Sequence, residues 1–371
     1  MRWENKERNL RRLYDYLRDN QDEKVALFDI GTRAVRVLVA PKKVPDYWDG
    51  RTFFNDGQVF ELGADVGKFD QKLRIKQSRA LRDIIAFIST YLDILHRSGI
   101  LIEDVSAFGT AVFRWLENRE EVIDYIKNET GIAVYVIPEA QEAQFSLFAI
   151  GHTFKSTQNE THNVTIGEND ALLLIDQGGG STEISYLYPN KFKGNVHSID
   201  SLGTTALREE FFRLGPDGWV DPNKNLRRIS TQNERIIKLI QKRIDSWKGY
   251  PELKQSRIFA YAMGTAIQKC ARGSTYNAHN QLFSVDDLMS RLKISCSELE
   301  QSTQQVRTLY GLIQDESSIG GKRLNDLLVR LYGLPVYFFI LKKFGITEVR
   351  YAAYGLRYGA YVAKYKFGVP F

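Results

Sequence analysis

Read for hydrophobic and polar positions alone, the chain opens as a helix followed by two strands. Residues 1–20 place Leu10, Leu13, Tyr14 and Leu17 on one face of a basic amphipathic helix. Residues 25–30 and 34–40 are apolar enough for strands, with a tight turn at Gly31 between them. "GRTFFNDGQVFELG" adds strand signal and predicts a hairpin around Asn55–Gly57. From Gln77 to His96, the positions Leu81, Ile84, Ile85, Ile88, Leu92 and Leu95 keep helical spacing. A short strand through Ala107 follows, then a helix over about 118–128 stopped by Gly131. "IAVYVIP" reads as a strand, and a further helix begins just after Pro138.

Residues 152–170 hold neither period and are polar, which predicts a surface loop before the strand that ends at Asp176. Beyond come an alternating strand, a helix around "TTALREEFFRL", a basic helix near 232–247 and a strand-turn at "IFAYAMGTA". Mostly helical sequence then runs to about 345. One internal echo relates "VALFDIGTRAVRVLVA" (25–40) to "LLLIDQGGGSTEISYLY" (172–188). Each copy reads strand, Asp-x-Gly, hydroxyl, strand, with the aspartates at 29 and 176. The echo predicts one supersecondary unit used once per domain, with two Gly turns facing each other across a cleft.

Composition narrows the class. With 371 residues and 43% hydrophobic side chains, the chain can bury a full core and is long enough for two domains. Its first residues are charged and lack the apolar core of a secretory signal. The run "LYGLPVYFFIL" reads as too short to span a bilayer. The expectation is a soluble, cytoplasmic protein with no membrane partner. Cys270 and Cys296 are too few for a disulfide framework or a cysteine metal site, and Cys270 reads as packing. His96, His152, His162, His197 and His279 show no ligand spacing, and there is no nucleophile elbow, Walker A loop or Rossmann fingerprint. The net charge of +6 favours anionic partners. No basic stripe interleaves with aromatics, so nucleic acid is disfavoured as a partner.

The Gly turns carry the candidate chemistry. Bare backbone N–H groups in a tight turn make a concave anion site, and absent side chains let a phosphate approach closely. Gly31 and Thr32 supply this in the first turn; Gly178, Gly179 and Gly180 supply it in the second, with Ser181 and Thr182 as hydroxyl donors. An acid in such a turn repels phosphate unless a hard cation lies between them, so Asp176 and Glu183 point to Mg²⁺, with Asp29 as the matching acid of the first copy. Arg36 and Arg114 are candidate clamps for phosphate oxygens. Glu142 lies near the start of the helix after Pro138; it is either a favourable helix-end charge or the group that holds and deprotonates an attacking water.

Together and in this order, these residues resemble the exopolyphosphatase/guanosine pentaphosphate phosphohydrolase family over roughly residues 24–363. "DIGTRAVR" is similar to its first phosphate turn, "GTAVFR" to its arginine block, and "QEA" to the segment bearing its catalytic glutamate. "DQGGGSTE" matches its second turn intact, followed by "SIDSLG", "AMGTAIQK" and "GLRYG". The departures are Arg33 for Asn, Ala34 for Ser, Gln141 for an acid and Gln177 for an apolar residue. Arg33 thereby brings a cation to the first phosphate turn.

The resemblance implies an α/β fold of two ribonuclease-H-like domains, the actin and acetate-and-sugar-kinase superfold, around a central cleft. It divides the chain into an N-terminal basic helix at 1–23, a first domain at 24–145 and a second at 146–371. The last helix, about 355–368, returns to the first domain. It implies a Mg²⁺-dependent hydrolase in which Glu142 activates water and Asp176 is catalytic as well as a metal ligand. The expected substrate is inorganic polyphosphate, with guanosine pentaphosphate as the alternative and a homodimer as an allowed assembly. A non-catalytic sensor of polyphosphate or an alarmone, and an ATP-dependent phosphotransferase, are the competing classes.

Overall fold

The computed structural model describes residues 6–32, 34–46, 48, 51–66, 70–157, 167, 169–188, 193–212, 228–271, 278–303, 306–313 and 319–371. The chain divides into two units, Met1–Asn163 with Tyr354–Phe371, and Val164–Ala353.

The first unit is organised around β1 (Lys24–Ile30), which is buried along its whole length. β2 (Ala34–Pro41) and β3 (Phe54–Val59) extend the sheet antiparallel on one side. β4 (Val105–Gly109) and β5 (Val134–Val136) extend it parallel on the other. Parallel neighbours need crossovers. Here α2 (Arg79–Arg97) precedes β4, and α3 (Ala111–Trp115) with α4 (Arg119–Thr130) joins β4 to β5. Ser78 caps α2 by accepting from the Leu81 N–H, and Gly131 ends α4 in the left-handed conformation. α1 (Lys6–Asp19) buries Leu13, but Tyr14 is 48% exposed, so the apolar face is narrower than expected. α5 (Glu139–Thr157) packs on α12 (Leu356–Phe367) so closely that the Phe145 carbonyl occupies the space a Cβ on Gly359 would need.

In the second unit β6 (Ala171–Gln177), β7 (Ser181–Tyr188) and β8 (Lys193–Asp200) form an antiparallel meander. β9 (Ile258–Gly264) joins β6 in parallel, β11 (Glu348–Tyr351) joins β9, and β10 (Leu282–Ser284) adds an antiparallel edge. α6 (Thr204–Phe212) and α7 (Ile229–Ser246) connect β8 towards β9, which leads straight into α8 (Thr265–Gln268). α9 (Val285–Ser302), α10 (Val306–Ile313) and α11 (Ile319–Lys343) complete the helical layer. Both sheets run in the order third, second, first, fourth, fifth strand, the ribonuclease-H-like arrangement; β10 is an addition. The internal echo therefore corresponds to a repeated fold.

Several expectations change. Asn55–Gly57 lies inside β3 and makes no hairpin. Its polar residues are used in place: Asp56 accepts from Asn9 Nδ2 at 2.8 Å and from the Tyr91 hydroxyl, and Gly57 leaves room for the Arg36 side chain. α5 continues to Thr157, into the segment expected as a loop; residues 158–166 and 168 lie outside the described residues. It also passes residue 145 without a break and stays with the first unit. β8 had no separate strand prediction. α11 runs through Gly333 and Pro335, giving Gly320–Lys343 the length and apolarity to cross a bilayer, although 67% of its most apolar window is buried within the protein.

Candidate functional site

Each unit carries one chemically distinctive corner, built at the end of its first strand. In the first unit, Ile30 ends β1 and the Gly31 N–H returns to the Ala34 carbonyl at 2.9 Å, closing the turn. A Cβ on Gly31 would sit 3.2 Å from that carbonyl, so the turn leaves little room for a side chain there. The Thr32 carbonyl accepts from the Gly63 N–H at 2.8 Å, and Arg33 lies outside the described residues. Asp29 and Arg36 are direct cross-strand partners, which puts both side chains on one face of the sheet.

Asp29 is only 4% exposed. Arg36 Nη1 lies 3.6 Å from its Oδ2, and Arg357 Nη1, from the start of α12, lies 3.8 Å from the same oxygen. A buried carboxylate needs such charges, because desolvation without them costs several kcal/mol. Asp29 is thus answered by two guanidiniums. Sequence alone gave Arg357 no role; its signal was its place in "GLRYG".

Arg114, in the last turn of α3, donates from Nη1 to the Ile137 carbonyl and to Glu142 Oε2, both at 2.9 Å. Glu142 lies in the first turn of α5, where its N–H bonds to the Pro138 carbonyl at 3.0 Å. Both side chains are partly open to solvent, at 25% and 32% exposure, so the pair is accessible to a substrate.

In the second unit the register aligns three polar groups. Asp176 pairs with Glu183 across β6–β7, and Glu183 with Ser198 across β7–β8, so all three share one face. Glu183 Oε1 accepts from the Ser181 hydroxyl and, at 3.2 Å, from Ser198 Oγ. Beside this row, Gly178–Gly180 forms the bend between β6 and β7, with the Gly178 N–H bonded to the Ser181 carbonyl at 3.0 Å. The segment 203–206 grips the bend through backbone bonds from Gly203 to Gly180, Thr204 to Gly178, and Thr205 and Ala206 to Gly179, at 2.8–3.2 Å. At about 1 kcal/mol net apiece, these bonds hold the bend in one conformation. A Cβ on Gly203 would overlap the Gly179 carbonyl and the Gly180 nitrogen. Tyr337 closes the base, donating to the Met263 carbonyl at 2.7 Å; burial, then the charge of Asp176, push its hydroxyl well above the usual tyrosine range.

Thr182 corrects one expectation. Its hydroxyl is fully buried and donates to the Leu202 carbonyl at 2.9 Å, so it anchors the following loop and does not face a ligand. Gln177, unusual in the sequence, anchors the same loop, with its Nε2 bonded to the Leu202 carbonyl at 3.2 Å. Ser198 and Gly203 are the residues of this corner that sequence alone did not single out, although both stand in "SIDSLG".

For a metal, the donors are carboxylates. Among the described residues no group of three His, Cys, Asp or Glu side chains gathers at one point. Asp176 and Glu183, adjacent across the strands and both partly exposed, fit a hard cation that takes oxygen donors and retains several waters.

Comparison with known proteins places these corners in a wider group. A 194-residue stretch is 24% identical to the bifunctional 3-dehydroquinate synthase/phosphatase of Fusobacterium nucleatum, covering 50% of this chain and 26% of that protein. A 111-residue stretch is 31% identical to an uncharacterized Streptomyces coelicolor protein, covering 30% of this chain and 29% of that protein. The chain thus spans under a third of the length of these curated relatives. The solved Aquifex aeolicus Ppx/GppA family member superposes with a TM-score of 0.67 at 19% identity, covering 94% of this chain and 99% of that one. An exopolyphosphatase from Cytophaga hutchinsonii gives 0.59 at 17% identity, covering 94% and 99%. These likenesses establish the fold. The model of the Ppx/GppA phosphatase family matches residues 62–366, a span that holds Arg114, Glu142, the whole 176–183 corner and Arg357, and the chain accordingly belongs to that family.

Proposed function

We propose that this protein is an exopolyphosphatase, releasing terminal orthophosphate from inorganic polyphosphate. The observation that carries the reading is the Gly178–Gly180 bend, gripped by the 203–206 backbone beside the Asp176–Glu183–Ser198 row. A bend held in this way spends no binding energy on its own ordering when an anion arrives.

In the second unit, the Gly179 and Gly180 N–H groups receive phosphate oxygens, joined by the Ser181 hydroxyl once an anion draws its proton from Glu183. Asp176 and Glu183 would hold Mg²⁺, which when bound neutralises charge on those oxygens. In the first unit, Arg114 offers its remaining N–H donors to the terminal phosphate while Nη1 keeps Glu142 in place. Arg36 adds positive charge at the Gly31–Thr32 turn. Glu142 orients a water and takes its proton. The water oxygen bonds to the terminal phosphorus as the bond from phosphorus to the bridging oxygen breaks, and the shortened chain leaves with that electron pair. No covalent enzyme intermediate is needed.

Polyphosphate is favoured over guanosine pentaphosphate because the net charge of +6, with Arg33 in the first turn and Arg36 just after it in sequence, suits a long polyanion. The test is release of orthophosphate from each substrate at matched concentration, with Mg²⁺ and with chelator. Faster release from polyphosphate, abolished by chelator, is expected. Faster release from the nucleotide reverses the substrate assignment. Binding of polyphosphate without release would make the protein a sensor.

A further inference from the structure

β6 ends on two polar residues whose side chains take opposite faces of the sheet. Asp176 joins the row with Glu183 and Ser198, whereas Gln177 lies on the core side with Leu173 and Ile175 and is only 2% exposed. α11 closes over it: a Cβ on Gly333 would sit 3.0 Å from Gln177 Oε1 and 2.4 Å from the Ala266 Cβ. Among the described residues Oε1 has no hydrogen-bond donor. An amide oxygen buried in this way costs stability, and an apolar side chain of similar shape would avoid that cost.

What the amide supplies in return is its Nε2 donor. It reaches the Leu202 carbonyl at 3.2 Å, and Thr182, its partner across β6–β7, donates to the same carbonyl at 2.9 Å. A carbonyl oxygen has two lone pairs; with two donors it is fixed in direction, whereas about a single bond it can pivot. The Leu202 carbonyl and the Gly203 N–H are opposite ends of one planar peptide, so fixing the first aims the second. That N–H donates to the Gly180 carbonyl at 3.2 Å, the longest of the backbone bonds from 203–206 that grip the bend. Ser201, immediately before Leu202, holds φ 62°, a conformation costly for a residue with a side chain. The turn therefore has strain to release when one of its donors is lost.

We infer that Gln177 is a positioning residue for the phosphate bend, acting on Gly180 through the Leu202–Gly203 peptide. Its side chain touches no substrate; it keeps the bend in the one conformation whose N–H groups are ready for an anion. The consequence for turnover rests on the proposed phosphatase reading, whereas the hold on the peptide does not.

Gln177→Met tests this, because methionine is unbranched, close to glutamine in length, and removes the donor and the unpartnered oxygen together. The urea midpoint is expected to equal or exceed that of wild type, while the Gly203 amide exchanges at least threefold faster. At undiminished global stability, faster exchange reports local opening of the grip. KM for polyphosphate should rise at least threefold, by more than kcat falls. Thr182→Val removes the other donor to Leu202 and is expected to speed Gly203 exchange as well. A lower urea midpoint for Gln177→Met would make the amide a stabilising contact and overturn the inference. Faster Gly203 exchange in Thr182→Val alone would assign the hold to Thr182 and overturn it too. Faster exchange in Gln177→Met with unchanged KM in an active enzyme would overturn the role in phosphate binding. A wild type that releases no phosphate would remove the phosphatase reading, and faster Gly203 exchange in Gln177→Met would still support the hold on the bend.

Discussion

Arg114 and Glu142 meet through one nitrogen and one oxygen: Nη1 lies 2.9 Å from Oε2 and also donates to the Ile137 carbonyl. That carbonyl immediately precedes Pro138 and α5, so the arginine ties the end of α3 to the start of the helix that bears the glutamate. One carboxylate oxygen is positioned by this contact. The arrangement suits a group that must hold a water in a fixed direction.

Replacing Glu142 with glutamine keeps size and some hydrogen bonding but removes the base. Turnover of polyphosphate by Glu142→Gln is expected to fall about 10²–10⁴-fold, the range for a lost general base. Thermal unfolding should be close to wild type, because the side chain is partly exposed. Near wild-type phosphate release from this variant would remove Glu142 from catalysis.

Asp176→Asn removes one negative charge from the cross-strand pair with Glu183. A Mg²⁺ titration of phosphate release should then give a half-maximal rate at a concentration at least tenfold higher, together with a lower maximum. A lower maximum with unchanged Mg²⁺ dependence would point to a role other than ligation.

Gly203→Ala tests the grip on the bend. Its new methyl group would overlap the Gly179 carbonyl and the Gly180 nitrogen, so the backbone must separate. A loss of about 1–3 kcal/mol in unfolding free energy is expected, as for other overpacked sites, with faster exchange of the Thr204 and Thr205 amides. Chemical denaturation and hydrogen exchange read the two effects independently.

Arg357→Met leaves Asp29 with Arg36 as the nearer of its two arginine partners. Arg36 is half exposed and its contact is long, so the remaining compensation is partial. Destabilisation of about 1–2 kcal/mol is expected in urea unfolding, below the full cost of isolating a buried charge. The double change Arg357→Met with Asp29→Asn should recover part of it; no recovery would show that the arginine acts through packing.

His279 supplies a pH dependence of stability. Burial lowers its pKa to about 4, from 6.5, and its Nδ1 accepts the Ala353 N–H at 3.1 Å, a bond that protonation removes. Between these two values the unfolded chain binds the extra proton, so stability from this group is full above pH 6.5 and falls as the pH drops towards 4. The loss approaches roughly 3 kcal/mol at its limit. Urea unfolding at several pH values should show this slope in wild type and a shallower one in His279→Asn.

What the sequence determined by itself was local: strands with a strict apolar pattern, helices with clear stops, and two short glycine-bearing turns. β1, β6, α2 and α4 were legible because period, cap and turn residues agree within a few positions. The Gly178–Gly180 turn and the carboxylates beside it were legible for the same reason. Tertiary structure alone decided the rest, because it depends on partners distant along the chain. Asn55–Gly57 reads as a turn until Asn9 and Tyr91 satisfy Asp56 within a strand. Thr182 reads as a ligand donor until strand alternation turns its hydroxyl towards Leu202. Arg357 becomes part of the Asp29 corner only when α12, more than 300 residues further on, packs in the unit that contains β1. Hydrophobic period sets which face a residue takes, but which charge or hydrogen bond awaits it there is settled by long-range packing.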